Sequence, residues 1–235
     1  MIRLDKMLAH MGYGSRKDVK ELIRKGYVSV DGEIIKSDDT KVDENSEIVI
    51  FDEVVKYDKY VYLMLNKPDG YISATYDNNL PTVLDLIYGY ESRGLFPVGR
   101  LDIDTFGLLI LTNDGMLAHR LLSPKNHVMK KYYLRYDGKY SESFADIFKK
   151  GVKIDDYITK EAIFENLGNN EAYMSICEGK YHQVKKMMEY VGCTVTYLER
   201  IEFGGIKLDN NLKRGEFRSL SEEEIKMLRG DYFDK

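Results

Sequence analysis

Apolar positions divide the chain before any single residue type suggests chemistry. Ile2, Leu4, Met7, Leu8 and Met11 recur at helical spacing, Gly12-Tyr13-Gly14 interrupts them, and Ser15 can cap a second helix whose apolar face is Val19, Leu22 and Ile23. Gly26 ends that helix, Tyr27 to Ile34 reads as strand, tight turn and strand, and Glu47 to Phe51 adds a further strand. Residues 1–51 therefore read as one small domain. The run 52–60, DEVVKYDKY, has no period and reads as a linker. From there to residue 235 a second domain is expected. Val61 to Asn66 is a buried strand stopped by Lys67-Pro68-Asp69-Gly70, and Pro81-Thr82 opens a helix through Val83, Leu84, Leu86 and Ile87. Phe96 and Val98 lead into Gly99, Gly107 to Thr112 is a second buried strand, and Asp114 to Leu122 is a helix that Pro124 stops. Lys130 to Tyr136 alternates as a strand, and Ser141 caps a helix reaching Lys150. The strands Ala162 to Leu167 and Ala172 to Cys177 flank a Gly168-Asn169-Asn170 turn. A helix ended by Gly192 precedes a strand from Thr194 to Phe203, and Ser221 with Glu224 forms a capping box for the last helix.

Composition narrows the picture. At 235 residues, 43% apolar and 31% charged, the chain has the make-up of an ordinary globular protein. No apolar run approaches a membrane span, and Met1 to Gly12 carries scattered charges instead of the apolar core of a signal peptide, so a cytoplasmic protein with no membrane partner is expected. Cys177 and Cys193 are too few for a disulfide framework and lack metal spacing, and the four histidines are scattered, so no metal site is expected.

Charge changes it further. A net charge of -4 opposes a nucleic-acid partner at first sight, but its distribution does not. Residues 1–28 hold seven cations (Arg3, Lys6, Arg16, Lys17, Lys20, Arg24 and Lys25) against Asp5, Asp18 and Glu21, and Met116 to Tyr136 holds five cations and no carboxylate. Such tracts are electrostatic footprints for RNA.

Three blocks carry candidate chemistry. In Leu95 to Met116, Gly99-Arg100-Leu101-Asp102 places an arginine and a carboxylate on a loop between two core strands, where a scaffold can hold them rigidly. The whole block resembles the GRLDxDTxGLLLLTxDG signature of the RsuA/RluB/RluE/RluF family of ribosomal RNA pseudouridine synthases. The resemblance implies that Asp102 is the catalytic carboxylate. The LNKPxGY run at Leu65 to Tyr71 matches the same family, with Lys67 expected as a phosphate contact. The family's K-x-Y pattern maps onto Lys131 and Tyr133, Tyr133 packing its ring on the target base. Lys130 and Tyr132 fit K-x-Y too, but Tyr133 is preferred because Leu134 then occupies the family's apolar position. The third block, Cys177 to Met188, resembles the family's EGxxxQV segment followed by two basic residues and Met, and implies that Lys185 pairs with the catalytic carboxylate. Residues 3–32 look like the S-four RNA-binding module, which makes Arg3, Arg16, Lys17 and Lys20 candidate RNA contacts.

The resemblance implies an α+β fold: the small RNA-binding module, then a catalytic domain on a mixed, mostly antiparallel sheet flanked by helices. It also implies a uridine extruded from folded RNA, isomerised with no cofactor, with Arg100 filling the vacated stack or holding the flipped backbone. NKPxGY, YHQVK and Leu198 to Ile206 favour the small-subunit branch, acting as a monomer on ribosomal RNA in a partly assembled small subunit. The alternatives are a large-subunit enzyme of the same family, a non-catalytic ribosome-assembly factor, and a hydrolase built on paired Asp102 and Asp104.

Overall fold

Near the N-terminus, local rules set the structure. In the computed structural model, which describes residues 1–43, 45–55 and 57–230, helices Leu4–His10 and Arg16–Arg24 follow the apolar spacing. Ser15 caps the second reciprocally, its hydroxyl accepting from the Asp18 amide at 3.3 Å while the Asp18 carboxylate accepts from the Ser15 amide at 2.9 Å. Their inner faces bury Leu4, Met7, Leu8, Val19 and Ile23 against Val28, Ile48 and Ile50 of an antiparallel sheet. Its strand order is Glu33–Ile34, Val28–Val30, Ile48–Ile50, Glu53–Val55.

The chain separates into two compact units, residues 1–61 with 87–95, and residues 62–86 with 96–235. This differs from the sequence reading in two places. The run 52–60 is not all linker: after a turn with positive φ at Phe51 and Asp52, Glu53–Val55 pairs with Ile48–Ile50 and buries Val55. Residues 87–95 lie within the presumed second domain in sequence but belong to the first unit. There Arg93, 7% exposed, donates to the carbonyl of Asp58, and its own carbonyl lies 3.3 Å from the His10 ring. Such long-range anchoring leaves no mark on composition. The helix expected from Pro81 is a single 3-10 turn, Val83–Leu86, where the Asp85 carboxylate accepts from the Thr82 amide and hydroxyl.

The second unit is built on a nine-stranded sheet among the described residues. Its main path runs Ala162–Gly168, Glu171–Ile176, Lys130–Asp137, Thr194–Phe203, Phe106–Thr112, Tyr62–Lys67, Phe217–Ser219. Thr194–Phe203 and Phe106–Thr112 pair in parallel and the other neighbours are antiparallel, so the architecture is α+β on a mixed, mostly antiparallel sheet. The parallel pair is close at Gly107, where a Cβ would lie 2.3 Å from the Arg200 carbonyl oxygen. Helices Gly115–Leu122 and Glu222–Arg229 cover a core of Met64, Leu108, Ile110, Leu117, Leu121, Phe203 and Leu228. Phe144–Lys150 packs on Ala162–Gly168 through Phe144, Phe148 and Phe164. Ser141 does not cap this helix directly; Ser143 holds the cap position. Among the described residues no helix is long and apolar enough to cross a membrane.

Candidate active site

The loop that ends at Phe106 is held from below by an ammonium group. Lys67, the last residue of its strand, is fully buried, and its Nζ donates to the carbonyls of Pro68 (2.9 Å), Ile103 (3.1 Å) and Thr105 (3.0 Å). The expectation that Lys67 contacts a phosphate is therefore corrected: the side chain points into the protein and is consumed by the loop. Burial, opposed by the charges of Asp104, Asp69 and Asp102, brings its pKa down to about 8. Ser73 fixes the adjoining residue from the other side, its hydroxyl donating to the Leu101 carbonyl at 2.9 Å and accepting from the Leu101 amide at 3.0 Å. The Thr105 amide closes a turn onto the Asp102 carbonyl at 3.1 Å.

On this backbone Asp102 is half-buried. The second contribution comes from helix Gln183–Tyr190. Gln183 ties down its entrance: its Oε1 accepts from the Lys180 amide at 3.0 Å and its Nε2 donates to Glu178 at 2.8 Å. The Glu178 carboxylate also accepts from the Lys160 amide and the Tyr157 hydroxyl. One helical step on, Lys185 Nζ lies 3.2 Å from Asp102 Oδ2 and 2.7 Å from Asp104 Oδ1. Burial works against the Lys185 charge, but the Asp104 hydrogen bond and both carboxylates outweigh it and hold its pKa above the ordinary lysine value. Burial likewise opposes ionisation of Asp104, and Lys185 overrides it, keeping that carboxyl below its usual range. One ammonium thus bridges two carboxylates.

Three residues that the sequence reading did not single out, His182, Thr105 and Lys180, and one that it set aside, Tyr132, complete the surroundings. His182, with φ of 52° at the helix entrance, places Nε2 3.5 Å from Asp102 Oδ1 and stacks on the exposed Tyr181 ring. Thr105, Tyr132 and Lys180 join Asp102, Arg100 and His182 in lining a small cleft of about 60 Å³. Tyr133 does not. Side chains alternate along a strand, and Tyr133 lies on the opposite face, edge-on to Tyr173 and Tyr197, with its hydroxyl accepting from Arg135 Nε at 2.9 Å. Lys131 shares that opposite face, paired with Glu165 at 2.8 Å. The preference for Lys131 and Tyr133 over Lys130 and Tyr132 is therefore reversed. A signal existed: Tyr132, Leu134 and Tyr136 form the more apolar face of the strand, and that face turns inward.

Arg100 is exposed at the mouth of the cleft. In the first unit, Arg3, Arg16 and Lys20 converge on the buried Asp5 at 3.0, 3.1 and 3.9 Å, while Lys17 is exposed. Among the described residues no three His, Cys, Asp or Glu side chains converge as a metal site requires.

Comparison with known proteins speaks to the family of the chain. Residues 2–48 match the S4 domain model and residues 61–190 match the model for RNA pseudouridylate synthase. An uncharacterized RNA pseudouridine synthase, YtzG, of Bacillus subtilis (strain 168) is 47% identical over 97% of this chain and 98% of its own. Ribosomal small subunit pseudouridine synthase A of Escherichia coli (strain K12) is 38% identical over 95% of this chain and 98% of its own. A solved structure of a pseudouridylate synthase superposes with a TM-score of 0.69 at 34% identity, covering 97% of this chain and all of that one. With fold, both domain models and full-length relatives in agreement, the chain belongs to the RNA pseudouridylate synthase family: it is an RNA pseudouridine synthase with an N-terminal S4 domain.

Proposed function

We propose that the protein isomerises a uridine of small-subunit ribosomal RNA in the cytoplasm, with Asp102 as the catalytic carboxylate. The observation that carries this reading is the contact of Asp102 with Lys185 at 3.2 Å, on a loop whose backbone is pinned by Lys67 and Ser73. The relative named for the small ribosomal subunit, matched along nearly its full length, supports the choice of RNA.

The reaction breaks the bond from ribose C1′ to uracil N1 and forms one from C1′ to C5. The proton on C5 is lost and N1 gains one, so neither oxidant nor group donor is needed. A base inside a helix exposes none of these atoms, so the nucleotide must be extruded. Asp102 then acts on the sugar, as a nucleophile at C1′ or as a base toward the C2′ proton, with the Lys185 ammonium beside it at 3.2 Å. Tyr132, on the wall of the cleft, supplies the ring against the base, a stacking contact typically worth about 1 to 3 kcal/mol. Lys185 holds the carboxylate and Arg100 stands at the entrance to meet the flipped backbone.

The test is to map pseudouridines in ribosomal RNA from cells with and without the gene, and in transcripts treated with purified protein. One small-subunit uridine is expected to depend on it. Asp102→Asn should bind that RNA with unchanged affinity and form no product. Normal turnover by the variant would remove Asp102 from the mechanism, and a target in the large-subunit RNA would overturn the choice of substrate.

A further inference from the structure

Next to the Asp102 cleft, and sharing Arg100, Tyr132 and Lys180 with it, lies a larger cavity of about 360 Å³. Two buried cations from neighbouring strands line it, Lys130 at 7% exposure and Arg200 at 3%. Arg200 donates its Nε to the Leu108 carbonyl at 2.8 Å, but its buried Nη2 has no hydrogen-bond partner among the described residues. Lys130 donates to the Val128 carbonyl at 2.7 Å, and each cation lies over the Phe203 ring. The carboxylate on the wall, Glu178, is already engaged by Tyr157, Gln183 and the Lys160 amide, none of them charged.

Placing an ammonium beside a guanidinium inside a protein, with neither in an ion pair among the described residues, is unfavourable through desolvation and repulsion. Burial of Lys130 and the charge of its neighbour Arg200 bring the Lys130 pKa down to about 8, against an opposing pull from Cys177 and Glu178. A fold that keeps such a pair open to a cavity has an anion to put there. The cavity opens toward Arg100 and Lys180 at its rim, so the anion arrives from the side on which the extruded nucleotide would enter.

We propose that this cavity binds a phosphodiester of the RNA flanking the extruded uridine, with Lys130 and Arg200 as its buried donors and Lys180 at its mouth. The proposal rests on the reading of the Asp102 cleft as the reaction site. Guanidinium and ammonium groups recognise the tetrahedral oxyanion, so inorganic phosphate has the same chemistry, and the two sources differ in the measurement that moves. By holding the neighbouring phosphate, the cavity fixes the register of the strand relative to Asp102.

The experiment measures binding of a small-subunit ribosomal RNA transcript across a salt series, for the wild type, Lys130→Gln and Lys130→Arg. Loss of one phosphate contact should reduce the slope of log K against log salt by about 1 and weaken binding at fixed salt roughly 10-fold; Lys130→Arg should keep the slope. Should Lys130→Gln fail to fold, Lys180→Gln, at the mouth, should lower the slope by about 1, and a wild-type slope in that variant overturns the site. A folded Lys130→Gln with the wild-type slope and affinity overturns the site. Inorganic phosphate that raises the melting temperature of the wild type, combined with an unchanged RNA slope in Lys130→Gln, overturns the assignment to the RNA backbone. Product assays separate the two readings. Pseudouridine formed with an unchanged slope sinks the phosphate site alone, whereas a reduced slope with no pseudouridine from the wild type sinks the reaction and leaves the site standing.

Discussion

Lys67 shows how much one buried charge can decide. Its three carbonyl acceptors belong to the turn after its own strand and to the loop that presents Asp102, so the ammonium acts as a three-way pin for that loop. In Lys67→Met those carbonyls lose their donor at about 1 to 3 kcal/mol for each group left unsatisfied. We expect destabilisation on the order of 3 kcal/mol in urea unfolding. Turnover should fall about 100-fold, because a displacement near 1 Å at a reacting group has that effect. The pH dependence has two opposite parts. A neutral Lys67 amine has two N–H donors for three carbonyls, so single-turnover rates should fall as pH rises through about 8. Between about 8 and 10.5, however, the unfolded chain still carries the proton that folded Lys67 has released, so the free energy of unfolding rises with pH across that window. Rate loss accompanied by denaturation at pH 9 would contradict this assignment.

At the scale of elements, parity along one strand separates the two tyrosines. Lys130–Asp137 puts Tyr132 on the wall of the Asp102 cleft and turns Tyr133 toward Tyr173 and Tyr197, so a one-residue shift in reading a K-x-Y pattern selects a ring on the opposite face. Tyr132→Leu should lower single-turnover rate and RNA affinity together, by roughly 10-fold or more given the value of a base-stacking contact. Tyr133→Leu should leave the chemical step within about twofold and act on stability alone, by about 1 kcal/mol from lost aromatic packing. Equal catalytic losses in the two variants would undo the distinction. The parallel strand pair makes a second prediction. Gly107 has φ of +98°, and a Cβ there would meet the Arg200 backbone, so Gly107→Ala should destabilise the protein by about 3 kcal/mol, read from the urea midpoint.

For the whole molecule, net charge is a poor guide and its placement a good one. A chain of charge -4 draws Arg3, Arg16 and Lys20 together around one buried carboxylate in the S4 unit. Burial opposes the charge of Asp5, but hydrogen bonds from Arg3 and Arg16 outweigh it and hold its carboxyl below the usual range. Asp5 therefore orders the cations as it partly neutralises them. Replacing Arg16 and Lys20 with glutamine should lower the salt slope of ribosomal RNA binding by about 2 and leave the rate at saturating RNA unchanged. A fall in that saturated rate would place the pair in the chemistry instead of in docking.

The amino-acid pattern alone determined the helices around Ser15 and Ser221, the buried strands at Leu63 and Leu109, and the loop position of Asp102. Each of these follows from interactions among residues close in sequence, or from an apolar period that any fold must bury. The family blocks also pointed to Lys185 as the partner of Asp102, eighty-odd residues away. Only the tertiary structure decided what lies between such blocks. It turned Lys67 inward, put Tyr132 and not Tyr133 on the wall of the Asp102 cleft, drew residues 87–95 into the first unit, and set Lys130 beside Arg200. Those outcomes depend on which distant backbone groups and charges meet a side chain, and burial, not residue type, gives a lysine its role.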